Sequence, residues 1–427
     1  MSERGEHGRP VLVAGGGIAG LSLALTLHQI GVDVRVYESV RALQPLGVGI
    51  NLQPNAVREL IDLGLADELP RIGLATEEYG FYSKTGKEIW TEPRGLLAGY
   101  AWPQYSIHRG ELQMLLHRTA VDRLGPTRIR TGARAVGYEN RDDHVVLTLE
   151  TPEGTEDVEG SVLIGADGLH STVRAQMYPD EGPPIWSGAV LWRGATRAAP
   201  FRTGASMALI GHATQRFVTY PITSTAPDGT ALVNWIAELA FDPASGWNRE
   251  DWNRRADKAD FVDAFADWCF DWIDCPALIE ATLEVFEYPM VDREPLPAWT
   301  DGRTTLMGDA AHIMYPVGSN GASQAIVDAR KIGRAFLDHG VGPDALEAYE
   351  AEMRPATSRM VLAARGSGPD AVLQIVEDRC GGVFDDIDDV MPYQERADFA
   401  ANFKKTAGFS IDALNASPPI IPPDAVR

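Results

Sequence analysis

Gly15, Gly17 and Gly20 stand in the spacing Gly-x-Gly-x-x-Gly, between an apolar run at 10–14 and a stretch at 18–30 patterned as a helix, with Gly31 where it would stop. Each glycine has its own use there. The first permits a tight turn, the second lets backbone approach a pyrophosphate, and the third lets helix pack closely on strand. Ile18 and Ala19 open the helix, so its backbone N–H groups and positive dipole end serve phosphate. Glu38 ends a second strand-like run at 32–38, 18 residues past Gly20. A carboxylate there accepts hydrogen bonds from ribose hydroxyls and disfavours a 2′-phosphate. The glycine spacing alone also fits a plain strand-to-helix turn. Strand, helix and acidic residue together point to a bound dinucleotide.

Two further places follow the same logic. Gly165-Ala166-Asp167-Gly168-Leu169-His170-Ser171-Thr172-Val173-Arg174 follows an apolar strand at 161–164 and reads as strand, tight turn, helix. An ordinary turn with Ser171 as helix cap is the alternative. A strand at 304–307 leads into Gly308-Asp309-Ala310-Ala311-His312, and a glycine and an aspartate at a strand's carboxyl end can hold a second ribose or phosphate. Pro316-Val317-Gly318-Ser319-Asn320-Gly321 then feeds a Gly/Ala-rich helix at 322–337. Such a turn at a helix N-terminus suits an electron-rich carbonyl or a developing anion. A flexible loop before a core helix is the alternative.

These motifs need a scaffold that brings strand ends together. The chain has 427 residues, 44% hydrophobic and 23% charged, enough to bury a large core without a disulfide or metal staple. From about 183 the character changes to β-prone runs at 190–196, 217–222 and 231–239, followed by a helix at 260–273. The pattern predicts an α/β fold, α+β overall. A Rossmann-like domain is assembled from 1–70, 106–182 and 293–365. A mostly antiparallel β-sheet domain is inserted, from 71–105 and 183–292, its 71–105 part roofing a pocket. A C-terminal helical segment and an extended Pro-rich tail fill 366–427. On the β layer, Trp192, Tyr220 and Trp235 are candidates to stack on a flat ring, with ordinary sheet packing as the alternative. Arg193 could pair a carboxylate bidentately, or be a solvated arginine.

Composition excludes whole classes of partner. With 38 basic against 60 acidic residues the net charge is −22, which argues against nucleic acid, where phosphates must be neutralised. No basic amphipathic stretch serves a membrane surface, and no apolar run approaches the ~18 residues that span one. Cys269, Cys275 and Cys380 are odd in number and lack metal-ligand spacing, which reads as reduced thiols and no metal. Residues 1–10 are polar, unlike a signal peptide, so the expectation is a cytoplasmic protein.

In this order and at these separations the three motifs resemble the FAD-dependent aromatic hydroxylases, single-component flavoprotein monooxygenases of the p-hydroxybenzoate hydroxylase type. The resemblance runs to about residue 365. Within the family it is strongest to the phenazine-modifying branch acting on 5-methylphenazine-1-carboxylate. It is carried there by Pro45-Leu46-Gly47-Val48-Gly49-Ile50-Asn51, by 103–112 with its His108-Arg109-Gly110-Glu111-Leu112, by Tyr288-Pro289-Met290-Val291-Asp292-Arg293, and by 308–326.

The resemblance implies FAD as cofactor, NADH or NADPH as transient reductant, and O2. It also implies a flavin C4a-hydroperoxide that hydroxylates an aromatic or N-heteroaromatic, phenazine- or salicylate-like ring. By it, Gly15, Gly17 and Gly20, with Ile18 and Ala19, hold the FAD pyrophosphate, and Glu38 holds the adenosine ribose. Arg109 contacts the FAD phosphate or ribityl region, Asp167 and Gly168 handle FAD and NAD(P)H, and Gly308 and Asp309 bind the ribityl chain. Pro316, Gly318, Gly321 and Ala322 lie beside the isoalloxazine, with Gly49 on another side. The turn at 316–321 departs from the Gly-Gln-Gly-x-Asn run of many relatives, so its side-chain contacts differ. No spacing marks a catalytic base among His108, His212, His312, Tyr220 and Tyr315, and His312 fits a packing role better. A flavin reductase or dehydrogenase on a polycyclic or isoprenoid substrate, and a non-catalytic flavin sensor, stay open as alternatives, as does monomer against homodimer.

Overall fold

The computed structural model describes residues 8–242, 254–366, 368–406 and 410–425. Most of the polar start at 1–10 lies outside the described residues. The three apolar runs that precede the motifs become neighbours in one six-stranded sheet. Its order is Thr300–Asp301, Thr304–Leu306, Leu163–Gly165, Val11–Ala14, Val34–Glu38, Ile129–Thr131. All pairs are parallel except the first, so the strands before the three motifs end on one edge. Val11–Ala14 is wholly buried, as expected for a parallel strand covered on both faces. Helices Ile18–Gln29, Gly321–His339 and Arg109–Leu124 supply that cover.

The second sheet has eight strands, in the order Arg254–Arg255, Phe286–Asp292, Ile185–Ala198, Ala231–Ala240, Gln215–Pro221, Ser206–His212, Glu78–Tyr82, Glu88–Pro93. It is antiparallel except where Ser206–His212 meets Glu78–Tyr82. A small sheet of Gly49–Leu52, Gln104–His108 and Gly73–Thr76 joins the two halves. Among the described residues no helix is long and apolar enough to cross a membrane, and no group of His, Cys, Asp or Glu is placed to hold a metal.

Three expectations need correction. The helix at 260–273 is two short 3-10 turns, Lys258–Asp260 and Val262–Phe265, and a small hairpin of Cys269–Phe270 with Ile273–Asp274. Asp257 and Asp274 cap turns with their side chains, and Phe261, Phe265 and Trp268 are drawn into a core against the sheet. Local aspartate bonding and aromatic burial thus outweigh the helical pattern. The stretch 71–105 does not roof a pocket; its strands Glu78–Tyr82 and Glu88–Pro93 extend the large sheet at its edge. The Pro-rich end is extended but docked: Ile421 is fully buried in the main core, and Ser417 Oγ accepts from Arg58 Nη1 at 2.6 Å.

Candidate active site

The glycine turn is fixed by close approach. Gly15 has φ +108°, and a Cβ there would lie 2.3 Å from the Ala166 carbonyl oxygen. A Cβ on Gly20 would lie 2.0 Å from the Gly15 carbonyl oxygen. Gly17 differs: nothing stands within 4 Å of its Cβ position, and it caps helix Ile18–Gln29 without any side-chain bond. Backbone donors at a helix start, with open space before them, make a cradle for an anionic group. Beside it Glu38 Oε2 accepts from the Gly16 amide at 2.7 Å, and Oε1 from the Val40 amide at 2.9 Å. These features fit the pyrophosphate and ribose of FAD.

The other two motifs close on the same edge. Gly308 turns with φ +56°, its Cβ position 3.1 Å from Ala19, and its amide donates to Asp328 Oδ2 at 3.0 Å. Asp309 follows at the head of the short helix Asp309–His312. His312 is buried, its Nε2 2.5 Å from the same Asp328 oxygen. Burial alone would lower the His312 pKa, but Asp328 and Asp309 outweigh it and the net direction is upward. Asp167 turns away from the cavity: it accepts from Ser171 Oγ and from the Thr172 amide at 2.8 Å, while Ser171 caps helix Thr172–Met177. Arg174, buried, donates from Nη1 to the Ala310 and Ala311 carbonyls and pairs with Glu181, tying this motif to the next.

One cavity of about 370 Å³ runs from the cradle to the large sheet. Gly17, Ile18, Ala19, Gly49, Arg109, Gly168, Asp309, Tyr315, Pro316, Gly318, Gly321 and Ala322 line it, with Arg193 and Tyr220 on the sheet side. Gly15, Gly20, Glu38, Asp167, Gly308, His108, His212 and His312 do not line it. Gly49 is the junction. Its amide donates to Asn234 Oδ1 at 2.7 Å, and its carbonyl accepts from Arg193 Nη2 at 2.9 Å. A Cβ on Gly49 would meet Asn234 at 2.7 Å and Tyr220 at 2.8 Å, so only glycine fits. Arg193 Nε is buried and meets no acceptor among the described residues. Burial pushes the Tyr220 phenol up to about 12, with Arg193 pulling the other way, and burial likewise pushes Tyr315 up to about 12. Both stay protonated near neutrality.

Trp192 and Trp235 do not face this cavity. They pack on the opposite side of the sheet, where Trp192 stacks on Phe261 with centroids 4.7 Å apart and Trp235 stacks on Phe217 at 5.9 Å. Their indole N–H groups donate to Glu287 at 3.0 Å and Thr282 at 2.7 Å. The physical reason is strand parity: consecutive residues alternate faces, so Trp192 and Arg193 cannot share one.

Sequence reasoning missed Asn234, Arg216, Glu238 and Asp370. Arg216 Nη2 lies 2.8 Å from Glu238 Oε1, and Nη1 lies 2.9 Å from Asp370 Oδ2, all three lining the cavity. Burial raises the Glu238 and Asp370 carboxyls while Arg216 pulls each back, and the net direction for both is upward. The alternation Arg216, Val218, Tyr220 against Asn234, Ile236, Glu238 was a signal for one polar-edged face. Which strands pair was not readable from it.

A glycine cradle for a dinucleotide, opening through one cavity onto a polar sheet face, defines the class of FAD-dependent hydroxylases. The chain matches the family model described as FAD binding domain over residues 9–364 and belongs to that family; it is a flavin-dependent aromatic monooxygenase. It is 44% identical over 362 residues to phenazine 1,6-dicarboxylic acid hydroxylase PhzS of Lysobacter antibioticus, covering 83% of this chain and 89% of that protein. It is 32% identical to 3-amino-4-hydroxybenzoate 2-monooxygenase PtnB3 of Streptomyces platensis, covering 91% and 96%. A salicylate hydroxylase substrate complex shares the fold with a TM-score of 0.72 at 22% identity, over 98% of this chain and 99% of that one.

Proposed function

We propose that this enzyme hydroxylates an N-heteroaromatic carboxylate of phenazine size, with NADH or NADPH and O2 as co-substrates, in the cytoplasm. The observation that carries the reading is Arg193. It stands in the cavity with Nη2 fixed on the Gly49 carbonyl and a buried Nε that meets no acceptor among the described residues. A guanidinium so placed is ready for a substrate carboxylate. The similarity to a phenazine dicarboxylic acid hydroxylase supports the ring class. When bound, FAD supplies the redox and oxygen-activating chemistry.

The protein's own part is to hold the ring, exclude water and set polarity. Leu191, Val218, Ile236 and Met290 give the cavity apolar walls, and the Tyr220 hydroxyl stays a hydrogen-bond donor. No histidine is among the lining residues. That favours a ring already rich in electrons over one that must first lose a proton to the protein.

The test is anaerobic reduction of the purified flavoenzyme by NADH or NADPH, with and without phenazine-1-carboxylate and salicylate. Reduction should accelerate with the phenazine acid, and in labelled O2 one oxygen atom should enter the product. Arg193→Ala should weaken binding of the acid roughly ten- to hundredfold, the worth of one charged hydrogen-bonding group, while FAD is retained. Rapid reduction regardless of ligand, without oxygen incorporation, would overturn the reading in favour of a reductase.

A further inference from the structure

The face of the large sheet that lines the cavity is ruled by its register. Tyr220 pairs with Asn234, Val218 with Ile236 and Arg216 with Glu238. Asn234 holds Gly49, so its end of the face adjoins the cofactor cradle. Glu238 lies four residues further along the strand, roughly 13 Å away at the usual rise. Arg193 pairs with Ile236, between these ends. The cavity therefore has one cation beside the cradle and a separate charged cluster at its far end.

That far cluster is one guanidinium with two carboxylates. Glu238 comes from the sheet and Asp370 from the segment that follows helix Pro343–Ala364, and both carboxylates engage Arg216. The side chains are 10%, 12% and 16% exposed for Glu238, Asp370 and Arg216, yet all line the cavity. With both acids ionised the cluster carries a net charge of −1. With one protonated it offers an O–H but still has no cation to give, because both Nη atoms of Arg216 already face protein carboxylates. An anion brought here would lose its water without finding a counter-charge. A cationic nitrogen or an N–H donor would find two carboxylates.

Resting on Arg193 as the anchor for a substrate carboxylate, we propose that Glu238 and Asp370, fixed by Arg216, select the opposite edge of the substrate. They accept a cationic or N–H-bearing ring edge and reject a second carboxylate. The preferred substrate is thus dipolar, a carboxylate at one edge and a positive or donating nitrogen at the other. This departs from the dicarboxylic acid named for the Lysobacter relative.

The test measures dissociation constants on the FAD-loaded enzyme from ligand-induced changes in flavin absorbance. The probes are phenazine-1-carboxylate, phenazine-1,6-dicarboxylate and 5-methylphenazinium-1-carboxylate. The methylated zwitterion should bind at least tenfold tighter than the monocarboxylate, and the dicarboxylate at least tenfold weaker. Glu238→Gln and Asp370→Asn, separately, should each shrink both ratios severalfold while the monocarboxylate constant changes little. Two single variants on different elements guard against one that misfolds. Equal affinities in the wild type, or ratios unchanged in both variants, overturn the proposal. If no phenazine binds, the ring class proposed above falls instead, and 4′-aminomethylbiphenyl-4-carboxylate against biphenyl-4,4′-dicarboxylate decides the edge preference. Preference for the amine upholds it; equal binding, preference for the diacid, or no binding of either overturns it.

Discussion

Gly15 and Gly17 stand two residues apart and ask different things of the chain. Gly15 needs its positive φ and its contact with Ala166, so Gly15→Ala strains the fold itself. Its cost should be about 1–3 kcal/mol in the apoprotein, read by urea unfolding. Gly17 has empty space where a Cβ would go, and that space is the cavity. Gly17→Ala should leave the apoprotein's Tm unchanged and weaken FAD retention at least tenfold, measured by fluorescence on cofactor release. If Gly17→Ala also unfolds the apoprotein, the cradle is not where the spacing puts it.

At the scale of strands and helices, parity decides which side chains meet the ligand. Trp192→Phe should lower stability by about 0.5–3 kcal/mol, yet leave the dissociation constant of a ring ligand within about twofold, since the indole belongs to the far core. A large loss of ligand affinity with unchanged Tm would put the tryptophan back in the site. The three glycine-bearing strand ends were legible because a tight turn after an apolar strand has few other residue solutions. Arg193 and Tyr220 were legible as types but grouped with tryptophans of the wrong parity. Arg216, Glu238 and Asp370 were not legible, because their meeting depends on strand register and on a segment far along the chain. The helix expected at 260–273 failed where aspartate caps and a waiting aromatic core offered better bonds than helix did.

The same scale carries a pH prediction. His312 and Asp328 staple the short helix Asp309–His312 to the long helix Gly321–His339. The folded pKa of His312 is raised, so the stability it contributes is full below the unfolded value near 6.5 and is lost as pH rises through the folded value. Urea midpoints taken between pH 6 and pH 9 should fall further for the wild type than for His312→Gln. Parallel falls in the two proteins would show that the pair does not titrate in this way.

Across the whole molecule, remote segments complete the core around the cofactor edge. Ile421 is fully buried, and the Cβ position of Gly333, in the long helix, lies 3.3 Å from its side chain. Ile421→Ala should cost about 2–5 kcal/mol, as other large-to-small core changes do, and calorimetry should show it as a lowered Tm with the flavin spectrum intact. A null effect would mean that the Pro-rich end only rests on the surface.

The parallel sheet has one consequence for how the protein is made. Leu163 pairs with Leu12 on one side and Thr304 on the other. During translation, the apolar Val11–Ala14 leaves the ribosome roughly 15–60 s before Thr304–Leu306 exists to complete its sheet. Through that interval an oily strand and helix wait unsheltered, and non-local pairing of this kind is slow even once every partner is present. Yield in a foreign host should therefore rise with slower, cooler synthesis or with a chaperone that holds the nascent amino-terminal unit, more than with any added flavin.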